Sequence, residues 1–346
     1  MKTLRLKRGK EESLDRFHPW VFSGALNEHL PEGLEEGETV GVETADGRFV
    51  GTGHYQIGSI AVRILDFSDR PIDEQFYAVR LQEAFAVRRS LGLMRPDNNA
   101  FRLVHGEGDF LPGLVVDIYG PTAVMQAHSP GMHYAREIIA GQLVAIPGLG
   151  VENVYYKSET TLPYKARLDP QNEYIIGSYV GNEALENGLK FNIDWLKGQK
   201  TGFFVDQRDN RSLLEKFAHG RRVLNMFCYT GGFSVYAMRG GAEQVHSVDS
   251  SEKAITLTDA NIALNFPGDP RHISFAEDAF KFLDRMESGA YDLVVLDPPA
   301  FAKHRSALRN ALRGYQKLNF KAMEKLAPGS ILFTFSCSQA VSREQF

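Results

Sequence analysis

Residues 222–233 read RVLNMFCYTGGF, and this stretch decides the fold. A short, largely apolar run enters a turn whose two glycines, Gly231 and Gly232, open a helix. Strand, glycine turn and helix start are the first unit of a parallel α/β sheet, in which ligands lie beyond the carboxyl ends of the strands. The same rhythm continues downstream. Residues 244–248 form a strand ending at Asp249, and 251–265 have helical spacing; 272–276 and 279–286 repeat the pair. Residues 291–296 (YDLVVL), 305–326 and 330–337 (SILFTFSC) complete the series. Five strands with four crossover helices predict an open, Rossmann-like α/β sheet with helices on both faces.

Upstream the periodicity changes. Residues 39–42 and 48–50 alternate around Asp46-Gly47, which predicts a type I′ hairpin, and 59–66 (SIAVRILD) is a further strand. With Pro31, Gly33 and Gly37 as punctuation, residues 1–72 read as a small β-barrel. A helix is predicted over 73–91, with Phe76, Val79, Ala84, Phe85 and Leu91 as core contacts, and PDNN at 96–99 stops it. Strands near 101–104, 114–119 and 122–127, a helix near 133–144, and strands near 153–157 and 174–180 make a central α+β domain over 73–181. Residues 182–346 are left for the catalytic domain.

Bulk properties bound the function. The chain has 346 residues, 43% of them hydrophobic, enough for two or three domains with proper cores. No apolar run reaches membrane-spanning length and no signal peptide is read, so no membrane partner is expected. Two cysteines, Cys228 and Cys337, exclude a disulfide scaffold and suit a reducing cytoplasm. The ten histidines have no metal-ligand spacing, so no metal is expected. A net charge of −4 confines any nucleic-acid contact to local patches. One such patch stands out. Arg305, Arg309, Arg313, Lys317, Lys321 and Lys325 recur every fourth residue, opposite Leu308, Leu312, Tyr315, Leu318 and Leu326. Residues 303–325 carry +6 and the remainder −10, so Arg305, Arg309, Arg313 and Lys317 are candidate phosphate contacts.

The strand ends carry the chemistry. The glycine turn, Asp249 and Asp278 each follow a successive strand. Asp249 suits the hydroxyls of a ribose, and Asp278 an adenine amino group. The turn lacks the G-x-G-x-x-G that wraps a pyrophosphate, which favours S-adenosylmethionine over a nicotinamide dinucleotide. Strand four ends in Asp297-Pro298-Pro299-Ala300-Phe301. The prolines stiffen a loop whose carboxylate can bind the amide-like edge of a base, with Phe301 available to stack. Strand five ends in Phe335-Ser336-Cys337-Ser338. Carbon 5 of a pyrimidine is a poor nucleophile until a thiolate adds at carbon 6, a task suited to Cys337; Cys228, in the cofactor turn, is expected to pack.

Taken with residues 200–211 (KTGFFVDQRDNR), these motifs give the chain a resemblance to a known family. It resembles ribosomal large subunit methyltransferase I and its relatives, which make 5-methylcytosine in 23S rRNA. The resemblance covers nearly the whole chain. It implies a PUA domain, an RNA-binding β-barrel, over the segment holding His18-Pro19-Trp20-Val21-Phe22, and a central domain carrying RLVHGE (102–107) and LPGL (111–114). It further implies that Phe204, Gln207 and Arg208 join Phe227, Tyr229, Thr230, Gly231, Gly232, Phe233, Asp249, Ser250, Asp278, Asp297 and Pro298 around the methyl donor. Asp297 would bind the target base and Cys337 would be the nucleophile. Ribosomal RNA is then the expected partner, and a homodimer is left open. The family's fold continues past the Cys337 strand, so the resemblance implies a longer native chain, with strand five at a sheet edge and Cys337 exposed. Two rival readings stand beside this one. An amino-group methyltransferase would use the Asp-Pro-Pro loop without a thiol, and a non-catalytic RNA-binding protein would bind no methyl donor.

Overall fold

The computed structural model describes residues 1–163, 166–302 and 305–346, without the side chain of Arg305. The chain divides into two compact units, Met1–Asn187 with Ile193–Val205, and Gly188–Asn192 with Asp206–Phe346.

The first unit carries two separate cores. Strands β1 (Lys2–Arg5), β2 (Trp20–Phe22), β3 (Thr39–Glu43), β4 (Phe49–Tyr55) and β5 (Ile60–Asp66), with the short helix α1 (Glu12–Asp15), form a sheet of order β1-β3-β4-β5-β2. It closes over Leu4, Val40, Val42, Val62 and Ile64. The β3–β4 connection is not the expected type I′ turn. Gly47 donates to Thr44 O at 3.1 Å and itself takes φ 89°, which is a type I turn followed by a left-handed glycine. The second core lies under a sheet of order β10-β9-β8-β7-β6, from β6 (Ala100–His105), β7 (Leu114–Tyr119), β8 (Thr122–Ala127), β9 (Asn153–Tyr156) and β10 (Glu173–Ile176). Helix α2 (Glu74–Ser90) is capped by Asp73, whose carboxylate accepts from Phe76 N at 3.0 Å. It buries Phe76, Tyr77, Leu81, Ala84 and Phe85. Val79 and Leu91 are exposed instead, because the buried stripe runs through 77 and 81. The single helix expected near 133–144 is two, α3 (Pro130–Tyr134) and α4 (Arg136–Ala145); β10 stops at Ile176, and β11 (Glu183–Glu186) follows.

The second unit begins with β12 (Leu189–Asn192) and α5 (Arg208–Ala218), neither of which the periodicity flagged. Then come β13 (Arg222–Met226), α6 (Gly232–Arg239), β14 (Gln244–Asp249), α7 (Glu252–Asn265), β15 (His272–Ala276), α8 (Ala279–Arg285), β16 (Leu293–Leu296), α9 (Leu308–Lys325) and β17 (Ile331–Thr334). All five strands of its large sheet run parallel in the order β15-β14-β13-β16-β17. The order reverses between β13 and β16, and β17 lies at an edge, as expected. Leu224, Met226, Val294 and Leu296 are fully buried, which explains the largely apolar β13 and the unbroken apolar run of β16.

Gly231 is a tight point of this unit. Its φ is 73°, and a Cβ there would lie 2.7 Å from Thr258 Cγ2. Gly268 has φ 72° with open space around it. Gly231→Ala should lower stability by about 1–3 kcal/mol in urea unfolding, clearly more than Gly268→Ala, which meets only the backbone penalty. Equal losses would mean that the contact with α7 does not restrict residue 231.

Candidate active site

The turn after β13 is strained and heavily pinned. Phe227 and Tyr229 have φ of 60° and 48°, in the region that favours glycine. Cys228 N donates to Val248 O at 3.2 Å, and Tyr229 N to Asp249 Oδ2 at 3.1 Å. From α7, Thr258 Oγ1 donates to Tyr229 O at 3.1 Å and Asn261 Nδ2 to Thr230 O at 2.9 Å. Asn261 Oδ1 in turn accepts from Asn192 N at 2.7 Å. Thr258 and Asn261 were missed from the sequence. Their signal was a polar stripe, 258–261–265, at helical spacing on a helix that also carries apolar residues.

Asp249 braces two loops, accepting from Ser251 N at 3.0 Å with its other oxygen. A carboxylate has about four acceptor positions, so two remain for hydroxyl groups. Ser250 beside it is exposed. Cys228 packs: its Sγ lies 3.5 Å from Thr258 Oγ1, and burial pushes the thiol up to about 12. Asp278 is exposed, and Oδ1 caps α8 by accepting from Lys281 N at 3.0 Å, a role the sequence reading did not weigh. Phe204 belongs to the first unit, where it is 36% exposed.

The loop after β16 approaches the end of β17. Cys337 Sγ lies 3.7 Å from Pro298 O, and Cys337 is exposed. Ser338, by contrast, is buried. Its hydroxyl meets the Tyr315 hydroxyl of α9 at 2.8 Å and accepts from Ala302 N at 3.3 Å. Phe301 does not stand free to stack on a base. Its ring lies 4.6 Å from that of Tyr315, and Gly314 leaves the room for it, since a Cβ there would sit 2.9 Å from the ring.

Gln207 Nε2 donates to Asp297 Oδ2 at 3.2 Å and is itself held by Asn210 Nδ2 at 2.7 Å. Burial pushes the Asp297 carboxyl up to about 6, and the charge of Asp206 adds to the rise; Arg211 and the Gln207 bond oppose it. Arg211 is buried, with its guanidinium 6.0 Å from the Tyr236 ring. It lies inside the 200–211 motif but was not singled out, because charge on an amphipathic helix normally faces solvent. Arg208 opens the same helix.

Helix α9 divides its charges. Arg309 and Arg313 are exposed, whereas Lys317 lies 5.3 Å from the Phe280 ring centre, Lys321 pairs with Asp284 and Lys325 donates to Met286 O at 2.6 Å. The lower half of the stripe is therefore occupied by contacts to α8 and the residue after it. The Arg305 side chain lies outside the described residues.

Residues 136–345 match the S-adenosylmethionine-dependent methyltransferase family model, and residues 4–67 match a PUA-like domain. Ribosomal RNA large subunit methyltransferase I of Shewanella denitrificans is 39% identical over 99% of this chain and 87% of its own length. The protein of that name from Tolumonas auensis gives the same three figures. The chain belongs to this methyltransferase family. A Streptococcus mutans protein described as a SAM-dependent methyltransferase shares the fold, with TM-score 0.82 at 22% identity over 100% of this chain and 88% of that one. A crystal structure of a methyltransferase complexed with SAH reaches TM-score 0.84 at 22% identity, with the same coverage. The cofactor is S-adenosylmethionine. The glycine turn and the acceptor positions left on Asp249 fit it. No helix among the described residues is long and apolar enough to cross a membrane.

The Asp297 environment makes stability depend on pH. Its folded value, about 6, lies above the ordinary 3.8, so the advantage of the neutral form is complete below about pH 4 and lost as pH rises through 6. Asp297→Asn removes that ionisation. At pH 8 the variant should be more stable than the native protein by up to about 3 kcal/mol, and the gap should close toward pH 4. A gap independent of pH in chemical denaturation would show that Asp297 ionises normally.

Proposed function

We propose that this protein methylates carbon 5 of a cytosine in 23S ribosomal RNA, in the cytoplasm, through a covalent adduct on Cys337. The observation that carries the reading is the 3.7 Å approach of an exposed thiol to the Asp-Pro-Pro loop, whose Asp297 carboxyl is pushed up to about 6 by burial. The names of the relatives and the PUA-like match support RNA as substrate.

In this reading Asp249 and the 227–233 turn hold the donor's ribose and methionine portions, with Asp278 toward the adenine and Gln207 and Arg208 closing the pocket. When bound, S-adenosylmethionine supplies an electrophilic methyl group. Asp297 accepts a hydrogen bond from the cytosine amino group and fixes the ring against the loop. The Cys337 thiolate adds to carbon 6, forming the Sγ–C6 bond and moving electron density to carbon 5. After carbon 5 has gained the methyl group, its proton leaves to a base, the ring double bond re-forms and the Sγ–C6 bond breaks. Neither Cys228, buried with a raised pKa, nor any further thiol is needed for release. Arg309 and Arg313 are the phosphate contacts of α9.

Cys337→Ala should fold, bind S-adenosylmethionine normally and lose at least about a thousandfold in methyl transfer to 23S rRNA, since a covalent route is removed outright. Cys228→Ala should retain activity. Asp249→Ala should weaken donor binding at least about tenfold, because hydroxyls sequestered in the site lose their acceptor. Tritium transfer from the methyl-labelled donor, with the product nucleoside identified by mass spectrometry, reads the first two; calorimetry reads the third. Near-native transfer by Cys337→Ala, with methyl found on an exocyclic amine, would replace this mechanism by direct amine methylation.

A further inference from the structure

The PUA-like domain of the first unit holds a cavity that the chemistry above does not use. It measures about 290 Å³, at the small end of ligand pockets, which run to about 300–1,000 Å³. Three segments build its walls: the residues after β1, the turn after β2 and the turn between β4 and β5. Backbone bonds hold them together. Lys7 N donates to Ala25 O at 2.8 Å, Ser23 N to Ser59 O at 2.9 Å, and Gln56 N to Ala61 O at 2.9 Å.

The lining is apolar with a few polar groups. Leu26 and Ala61 are buried, whereas Leu30 and Ile57 are 42% and 52% exposed and form the rim. Two buried polar side chains open into the cavity. Gln56 is 6% exposed, and its Oε1 accepts from Arg63 Nη1, which turns Nε2 away from that bond. Nε2 lies beside Gly58, another lining residue, where a Cβ would be 3.6 Å from it. Among the described residues nothing accepts from Nε2, and the atom keeps accessible surface. The same holds for the Tyr55 hydroxyl. Burial first, then the charge of Glu36, raises the Tyr55 phenol, so it stays neutral and can donate. Asn27 Oδ1 is taken by Glu28 N at 3.1 Å, which leaves Nδ2 as a third donor. Glu28 is the one acid on the wall.

Lys7 also begins a basic turn. Lys7, Arg8 and Lys10 are all exposed, and Gly9, at φ 75°, turns the chain so that Lys10 N reaches Lys7 O at 3.2 Å. Among the described residues none of the three cations is in an ion pair.

We propose that this cavity receives one unpaired nucleotide of the RNA strand, with its phosphate toward the 7–10 turn. The proposal rests on RNA being the substrate. A base offers apolar faces to Leu26, Leu30 and Ile57, and acceptors on its edge to Gln56, Tyr55 and Asn27. Glu28 can accept from a base amino group. In a duplex the base edge is engaged by its partner, so the site selects single-stranded RNA. Flanking phosphates engage Lys7, Arg8 and Lys10.

The test uses the full chain, a 23S rRNA transcript and, separately, each of the four nucleoside monophosphates. Gly58 has no left-handed φ, and a Cβ there meets only ordinary contacts, so Gly58→Phe fills the cavity without straining the backbone. It should weaken transcript binding by about tenfold, the loss of one stacked base. Gly24→Phe, at a glycine with open space outside the cavity, should stay within twofold of native. Lys7→Gln should lower the salt slope by about 0.7, one phosphate contact of a single strand. S-adenosylmethionine affinity should be unchanged in all three. In Gly58→Phe the KM for RNA should rise while the rate at saturating RNA is kept. Transcript affinity within twofold of native in Gly58→Phe would overturn the proposal, as would an equal loss in Gly24→Phe or a salt slope unchanged by Lys7→Gln. Nucleoside monophosphate binding that Gly58→Phe abolishes while transcript affinity is kept would make this a site for free nucleotides and overturn it too. A native protein that neither binds nor methylates 23S rRNA would instead overturn the RNA reading itself. Should Gly58→Phe fail to fold, Ile57→Asp, at a rim residue already exposed, decides the matter. It should cost at least about tenfold in transcript affinity, and a loss under twofold would overturn the proposal.

Discussion

The hydroxyl of Ser338 holds together the edge of the sheet that carries Cys337. It meets Tyr315 of α9 at 2.8 Å and accepts from Ala302 in the Asp-Pro-Pro loop at 3.3 Å, one residue beyond Cys337. The end of an edge strand, a long helix and a proline-stiffened loop are thereby locked in one register. An edge strand alone could not do this, since β17 has a neighbour on one side only and is half-buried along its length. Phe301 against Tyr315 and Gly314 closes the same joint from below. The thiol can be exposed and still precisely held because its immediate neighbour is buried and doubly bonded.

The same economy recurs at the cofactor turn. Phe227 and Tyr229 sit in backbone conformations that cost free energy, and Thr258, Asn261 and Asp249 supply the bonds that over-determine them. The buried carboxyl of Asp297 is a second destabilised group, held beside Asp206 and opposed by Arg211. Strain and unfavourable charge are thus concentrated at the carboxyl end of the sheet, where the order of strands reverses and ligands bind.

Much of this was legible in the sequence. Central parallel strands are buried on both faces, so 222–226 and 293–296 read as largely apolar runs, and the glycine turn, Asp249 and Asp297 follow or end successive strands. Cys228 was expected to pack because it lies in the glycine turn, and it is buried. What escaped reading depends on tertiary partners. Arg211 is buried by α6, which no pattern within α5 announces. The α9 lysines found Asp284 and Phe280 on another helix, where the four-residue spacing could not reveal them. Phe301 looked free to stack until Tyr315 and Gly314 claimed it. On α2 the apolar count was right but the stripe was shifted, so Tyr77 and Leu81 are inside while Val79 and Leu91 are outside.

The central claim is that Cys337 bonds covalently to the base it activates. A 23S rRNA fragment carrying 5-fluorocytosine tests this directly, because fluorine at carbon 5 cannot leave as a proton does and the Sγ–C6 bond persists. Intact mass spectrometry after incubation with S-adenosylmethionine should show a protein–RNA adduct, and peptide mapping should put it on Cys337. A fragment that is bound and turned over with no adduct, or an adduct on another residue, would contradict the account.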